Sequence, residues 1–168
     1  MIKGIGQEFP YFELNGVDEN NQITTLCRDD FEGWKVFYFY PKDFTFICPT
    51  EIAGFDTIDE AEVVGFSGDN EFCKMAWRQS NELLENIDHP LLADCGLDLS
   101  SELGIVDVDE GVCYRATFIV DPDDIIQHVS VNALDTGRNH EEVLRTLTAL
   151  QAGGLTGCGW NEGDEFVA

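Results

Sequence analysis

Positive charge is scarce in this chain. Nine Lys and Arg stand against 33 Asp and Glu over 168 residues, a formal net charge of −24. Such a surface repels phosphate backbones and anionic lipid, which argues against nucleic-acid or membrane binding. The acidic surplus is either a solubility adaptation or a surface for a basic partner; solubility is the plainer reading. Repulsion between like-charged subunits would make any oligomer tighter at high salt. No apolar run approaches the roughly 18 residues of a membrane span. The opening residues Met1-Ile2-Lys3-Gly4-Ile5-Gly6 hold no apolar signal core, so a cytoplasmic location is expected. Six cysteines stand at positions 27, 48, 73, 95, 113 and 158, with no Cys-x-x-Cys among them. That argues against a zinc ribbon and against a thioredoxin-type dithiol. His89, His128 and His140 show no metal-like spacing, and no cofactor is expected. In a chain without a secretion signal most thiols are reduced, so a disulfide would be transient and catalytic. No internal repeat is present.

Hydrophobic residues make up 43% of the chain, enough for one ordinary domain with a sizeable core. The organising stretch runs from Val36 to Glu51. Val36-Phe37-Tyr38-Phe39-Tyr40 reads as a buried strand that Pro41 stops. A short loop leads to Cys48, followed by Pro49, a residue favoured at a helix start. Ile52, Ala53, Phe55 and Ile58 then recur at helical spacing, and the helix is expected to end by about Glu62. A thiol so placed faces the free N–H groups and positive end of a helix, which favour a thiolate. The competing reading is an inert core cysteine.

Along the rest of the chain, Phe9 to Leu14 and Gln22 to Leu26 read as an N-terminal hairpin turning at Asn20-Asn21. Asp29 to Gly33 is a polar connection. Val63 to Ser67 is a second buried strand. Gly68-Asp69-Asn70 caps a helix through Met75-Ala76-Trp77, with Ser80 to Asn86 continuing as helix. Leu91-Leu92-Ala93 is a brief strand, and Leu97 to Leu103 a short helix or turn closed by Gly104. An exposed acidic loop spans Asp107 to Gly111. Tyr114 to Val120 and Ile125 to Asn132 form a hairpin around Asp121-Pro122-Asp123-Asp124. Asn139 to Gln151 is a helix, with Asn139 and Glu142 placed like a capping box. From Gly153 the chain is glycine-rich and acidic and is expected to be an extended tail needing a partner surface. The sum is an α/β fold: a mixed central sheet flanked by helices, one domain over 1–152 and a tail over 153–168.

A reactive Cys48 needs a cation nearby. Lys42, Arg115 and Arg138 stand next to expected element ends and are the candidates. Arg115 is equally readable as a surface salt bridge. Thr45, three residues before Cys48, can share its pocket or merely stabilise the loop. Pro41 can shield the pocket or merely end a strand.

Together these residues carry a resemblance. Pro41-x-x-x-Thr45-x-x-Cys48, within Phe39-Tyr40-Pro41-Lys42-Asp43-Phe44-Thr45-Phe46-Ile47-Cys48-Pro49-Thr50-Glu51, resembles the peroxidatic motif of peroxiredoxins. Arg115 to Pro122, Gly137-Arg138-Asn139, Ala76-Trp77 and the Cys–Trp tail extend the similarity over nearly the whole chain. It is greatest to the alkyl hydroperoxide reductase type, the typical two-cysteine class. The resemblance implies a thioredoxin-like fold and thiol-dependent reduction of hydrogen peroxide and organic hydroperoxides. It implies that Cys48 attacks the peroxide and becomes a sulfenic acid. Thr45 and Arg115 would hold the peroxide, Pro41 would screen the thiol, and Glu51 with Arg138 would orient Arg115. It further implies an intersubunit disulfide with a tail cysteine. Cys158 is the candidate, although relatives place that cysteine four residues before the tail Trp, where Thr156 stands here, and Cys158 lies two before Trp160. An idle exposed thiol is the plain alternative. Cys113, two residues before Arg115, and Cys95 remain competing resolvers. The implied partners are a hydroperoxide, a dithiol protein reductant (thioredoxin-like or a dedicated flavoprotein) and a second copy of the chain, as a homodimer or a decameric ring. Over-oxidation-sensitive relatives carry a Gly-Gly-Leu-Gly loop and a C-terminal Tyr-Phe; Glu85-Asn86-Ile87-Asp88 occupies the first place and the second is missing, which implies slow inactivation. A chaperone-like or peroxide-signalling role is the alternative class. A thiol–disulfide oxidoreductase on the same fold is disfavoured by the missing Cys-x-x-Cys.

Overall fold

The computed structural model describes residues 1–168. In chain order its elements are β1 (Glu13–Val17), β2 (Ile23–Cys27), a 3-10 turn (Arg28–Asp30), β3 (Lys35–Phe39), α1 (Cys48–Phe55), β4 (Glu62–Ser67), α2 (Glu71–Ser80), β5 (Leu91–Ala93), α3 (Asp98–Leu103), β6 (Val106–Asp107), β7 (Val112–Cys113), β8 (Arg115–Val120), β9 (Ile126–Asn132) and α4 (His140–Ala152). Seven strands form one sheet in the order β2-β1-β5-β4-β3-β8-β9. β3 lies near its middle, parallel to β4 and antiparallel to β8.

The alternation of side chains along β3 divides the core in two. Phe37 and Phe39 face one cluster with Phe9, Phe12, Phe66 and Phe118. Val36, Tyr38 and Tyr40 face the other, which holds Cys48, Ile52, Phe55, Trp77 and Leu147. An all-buried strand therefore fits the expected apolar run, because both sheet faces are covered. The N-terminal hairpin forms, but β1 begins at Glu13. Phe9 and Phe12 precede it and serve as core residues, their rings packed on Phe37. α1 stops at Phe55, well before Glu62, as Thr57 and Ile58 form turns. α2 ends at Ser80, so the helical continuation to Asn86 is not observed; Asn81 is extended and Leu84 N donates back to Asn81 O in a turn. Asn139 caps α4 through the Glu141 and Glu142 amides. Glu142, expected to close a capping box, pairs with Arg145 at 2.7 Å instead.

The expected extended tail folds on its own chain. Gly153, Gly159 and Gly163 reverse it at positive φ of 70°, 69° and 96°. Trp160 is buried, stacked on Phe166 with ring centroids 6.1 Å apart, and Arg145 Nη1 donates to its carbonyl. Leu155, Phe166 and Val167 nevertheless stay exposed.

Beneath the sheet, Tyr38 OH and His89 Nε2 are 2.7 Å apart, and His89 Nδ1 is 2.6 Å from Asp56 Oδ1. Burial pushes the His89 pKa below its ordinary 6.5, although Asp56 opposes the shift. Burial also lowers His128. An unfolded histidine takes up its proton first, so this contribution is full above pH 6.5 and falls as pH drops through the folded values. Denaturant midpoints measured from pH 7 to 5.5 should therefore decline, and His89→Gln should decline less steeply than wild type.

Candidate active site

Four elements converge on Cys48. The residue opens α1 with Pro49 behind it, and its side chain is fully buried on the α1 side of the sheet. Arg115 begins β8, where residues 115, 117 and 119 alternate toward the same face. That placement lets a residue far along the chain reach the thiol: Arg115 Nη1 donates to Cys48 Sγ at 3.3 Å. The same atom donates to Glu51 Oε2 at 2.8 Å, and Nε donates to Leu134 O at 2.6 Å. Burial works against the charge on Arg115, but Cys48 and Glu51 outweigh it and leave the guanidinium more firmly protonated than usual.

Glu51, one helical turn beyond Cys48, is buried between two guanidinium groups. Arg138 donates to it through its backbone N (3.0 Å), Nε (2.9 Å) and Nη2 (2.9 Å). Burial alone would raise the Glu51 carboxyl, yet Arg138 and Arg115 hold it below its ordinary 4.5. Arg138 is fixed in turn by Ala116 O at 2.8 Å and lies over the Tyr38 and Phe55 rings. Those rings stack with centroids 4.2 Å apart. The result is a rigid seat whose cation is aimed at sulfur. Negative charge on Sγ or on an oxygen beside it is stabilised there.

Arg115 also lines a cavity of about 360 Å³, together with Pro41, Lys42, Thr45, Glu110, Val112, Leu134 and Asp135. Pro41, Thr45 and Arg115 thus line the same cavity. Thr45 Oγ1 donates to Lys42 O at 2.9 Å, so its lone pairs remain available to accept from an incoming O–H. Lys42, the third candidate cation, is exposed at the mouth and makes no contact with the thiol. No group of three or more His, Cys, Asp or Glu is arranged to hold a metal ion.

The remaining cysteines divide clearly. Cys113 was expected near the pocket mouth as a competing resolver. It is instead buried on the opposite side of the sheet from Cys48, with its thiol donating to Tyr40 O at 3.1 Å. Burial pushes it up to about 12. Cys95 and Cys158 are exposed, Cys27 and Cys73 half-buried. Burial, with Asp43 and Asp69 adding, raises Cys73 to about 11. Cys158 borders a groove of about 550 Å³ beside Arg145, Leu150 and Gly157.

A buried cysteine at a helix start, braced by an arginine that itself lines an open cavity, defines a thiol-nucleophile centre on an α/β scaffold. Comparison with known proteins gives the family. The pattern of the AhpC/TSA family matches residues 5–129. Alkyl hydroperoxide reductase C of Mycolicibacterium smegmatis is 42% identical, over 97% of this chain and 92% of that protein. Among solved structures, Mycobacterium tuberculosis AhpC superposes with a TM-score of 0.87 at 38% identity, covering 96% of this chain and all of that one. A reduced 2-Cys peroxiredoxin of Plasmodium vivax gives 0.90 at 30% identity, covering 97% and 92%. The chain belongs to the AhpC/TSA family, with a thioredoxin-like fold.

Proposed function

We propose that this protein is a thiol-dependent peroxidase that reduces hydrogen peroxide and organic hydroperoxides through Cys48. The observation that carries the reading is Arg115 Nη1 held 3.3 Å from a buried Sγ at a helix start. A peroxide entering past Pro41 donates its O–H to Thr45 Oγ1 and meets Sγ with its terminal oxygen. The sulfur–oxygen bond forms as the oxygen–oxygen bond breaks. Charge builds on the departing oxygen beside Arg115, which leaves as water or an alcohol after taking a proton. Arg138 and Glu51 keep Arg115 in place and touch no substrate.

The sulfenic acid on Cys48 then condenses with Cys158 of a second copy, giving a disulfide and water. The exposure of Cys158 and the glycines on both sides of it support this assignment. A dithiol protein, thioredoxin-like or a dedicated flavoprotein, returns both thiols. A homodimer, extendable to a decameric ring, is supported by the open edge of the sheet at β9 and by Phe44 and Phe46, which are 57% and 96% exposed. We place the protein in the cytoplasm, where such a dithiol cycle can run. No helix is long and apolar enough to cross a membrane.

Peroxide treatment followed by non-reducing electrophoresis tests the assignment. Wild type should run as a disulfide-linked dimer and Cys158→Ser as a monomer. A dimer band surviving the substitution would move the resolving role to another exposed thiol, Cys95 first.

A further inference from the structure

The loop that delivers Cys48 is pinned at its upstream end by a charged cluster that the chemistry above does not use. Lys74, in α2, has no exposed surface. Its ammonium donates to Ser67 Oγ at 2.5 Å, to Tyr40 OH at 3.2 Å, and to both carboxylate oxygens of Asp43 at 3.3 and 3.4 Å. Ser67 Oγ donates onward to Asp43 Oδ1 at 2.8 Å, and the Asp43 amide donates to Asp69 Oδ2 at 2.7 Å. Tyr40 directly follows β3, Ser67 closes β4, and Asp43 belongs to the loop between Pro41 and Cys48. The cluster therefore ties that loop to two strands and a helix at one point.

Between Asp43 and the thiol no side chain hydrogen-bonds outside the loop, and the one aromatic contact there is Phe44 packed on Trp77 with ring centroids 6.0 Å apart. Thr45 bonds only to Lys42 O, and Thr50 to Ile47 O, both within the same segment. Phe44 sits at φ +57°, and Phe46 points into solvent. Asp43 is the last residue before the thiol that hydrogen bonds tie to other elements. Cys48 is fully buried, whereas Cys158 is exposed. A disulfide needs the two sulfurs about 2 Å apart, so Cys48 must leave its pocket after oxidation. The segment free to carry it begins after Asp43.

We propose that Lys74 is a positioning residue of the peroxidase cycle: by clamping Asp43 it holds Cys48 beside Arg115 and sets how fast the oxidised cysteine is released toward Cys158. The inference rests on the peroxidase reading. Two fates compete for the sulfenic acid. Condensation with the Cys158 thiol forms a sulfur–sulfur bond and expels water, and requires release. Attack on a second hydroperoxide forms another sulfur–oxygen bond, expels an alcohol and leaves a sulfinic acid, and requires the sulfur to stay in the pocket. A firm clamp favours the second fate and a loose one the first. Removing the ammonium strands the Asp43 carboxylate among buried neighbours, which loosens the loop.

Rapid quenching with mass spectrometry reads both fates in the full-length protein. Lys74→Met should form the Cys48–Cys158 disulfide about tenfold faster from the sulfenic acid, the response to a hold weakened by about 1.4 kcal/mol. It should also need about tenfold more tert-butyl hydroperoxide for half-inactivation. Ser67→Ala removes one bond to each charge without stranding either, and should shift both quantities in the same sense by a smaller factor. The double variant Lys74→Met with Asp43→Asn, carrying neither charge, should return toward wild type. If Lys74→Met fails to fold, Ser67→Ala decides. Unchanged partition between disulfide and sulfinic acid, with only the melting temperature lowered, overturns the inference while the peroxidase reading stands. A wild type that consumes no hydroperoxide overturns both.

Discussion

Cys48→Ser stops hydroperoxide consumption, with a fall of about 10⁴-fold or more when dithiothreitol supplies the electrons, the scale on which an enzyme loses its nucleophile. The reasoning is local. A hydroxyl at this position keeps the helix start and can still accept from Arg115, but at neutral pH it offers almost no anion to attack the peroxide oxygen. The substitution is nearly isosteric, so the melting transition should move by no more than about 1 kcal/mol in stability. Peroxide-treated Cys48→Ser should also lack the disulfide-linked dimer. Retained peroxidase activity in a folded Cys48→Ser protein would show that another thiol does the chemistry.

Glu51→Gln should damage both fold and catalysis. Glu51 accepts three hydrogen bonds from two guanidinium groups and a fourth from the Arg138 backbone N–H, and is buried with them. An amide at this position removes the charge that keeps the two cations together and turns an NH₂ toward one of them. Breaking one member of such a buried group costs about 3–5 kcal/mol. Arg115 is then free to swing off Sγ, and loss of a charge-stabilising donor typically lowers turnover by about 10²–10³-fold. Urea unfolding and steady-state peroxide kinetics on the same preparation separate the two effects. Acid should imitate the variant. The folded carboxyl lies below its unfolded value of about 4.5, so the unfolded chain protonates first. This contribution is intact above that pH and fades as pH falls through the folded value. Wild type should lose stability there more steeply than Glu51→Gln. A Glu51→Gln protein with wild-type stability and rate would remove the rationale for the arginine pair.

The sequence was most informative where the relevant residues are neighbours. Pro41 and Thr45 lie in the loop that leads straight to Cys48, so the motif supplies part of the cavity lining. The strand before them and the helix after them were visible in hydrophobic pattern. Arg115 and Arg138 meet Glu51 and Cys48 across 64 to 87 residues of chain, a distance no local pattern bridges. Residue chemistry alone left Arg115 as readable as a surface ion pair; family resemblance named it. Cys113 misled because nearness in sequence to Arg115 suggested nearness in space. Tyr114 interrupts the strand between them, and the thiol joins the other core cluster. Lys74 had no legible signal, since a lysine in a helix ordinarily reads as solvated and its buried counter-charge lies 31 residues earlier. The glycine-rich tail reads as extended, whereas the stacking of Trp160 on Phe166 turns it back on the chain at that point.

The distribution of charge around the sulfurs also bears on selectivity toward electrophiles. Burial and neighbouring carboxylates hold the thiols of Cys73, Cys95 and Cys113 above their ordinary range. Two of the nine cations converge instead on the seat of Cys48. An acidic chain thereby insulates three of its sulfurs. A mild alkylating reagent at neutral pH should find Cys73, Cys95 and Cys113 slow to respond.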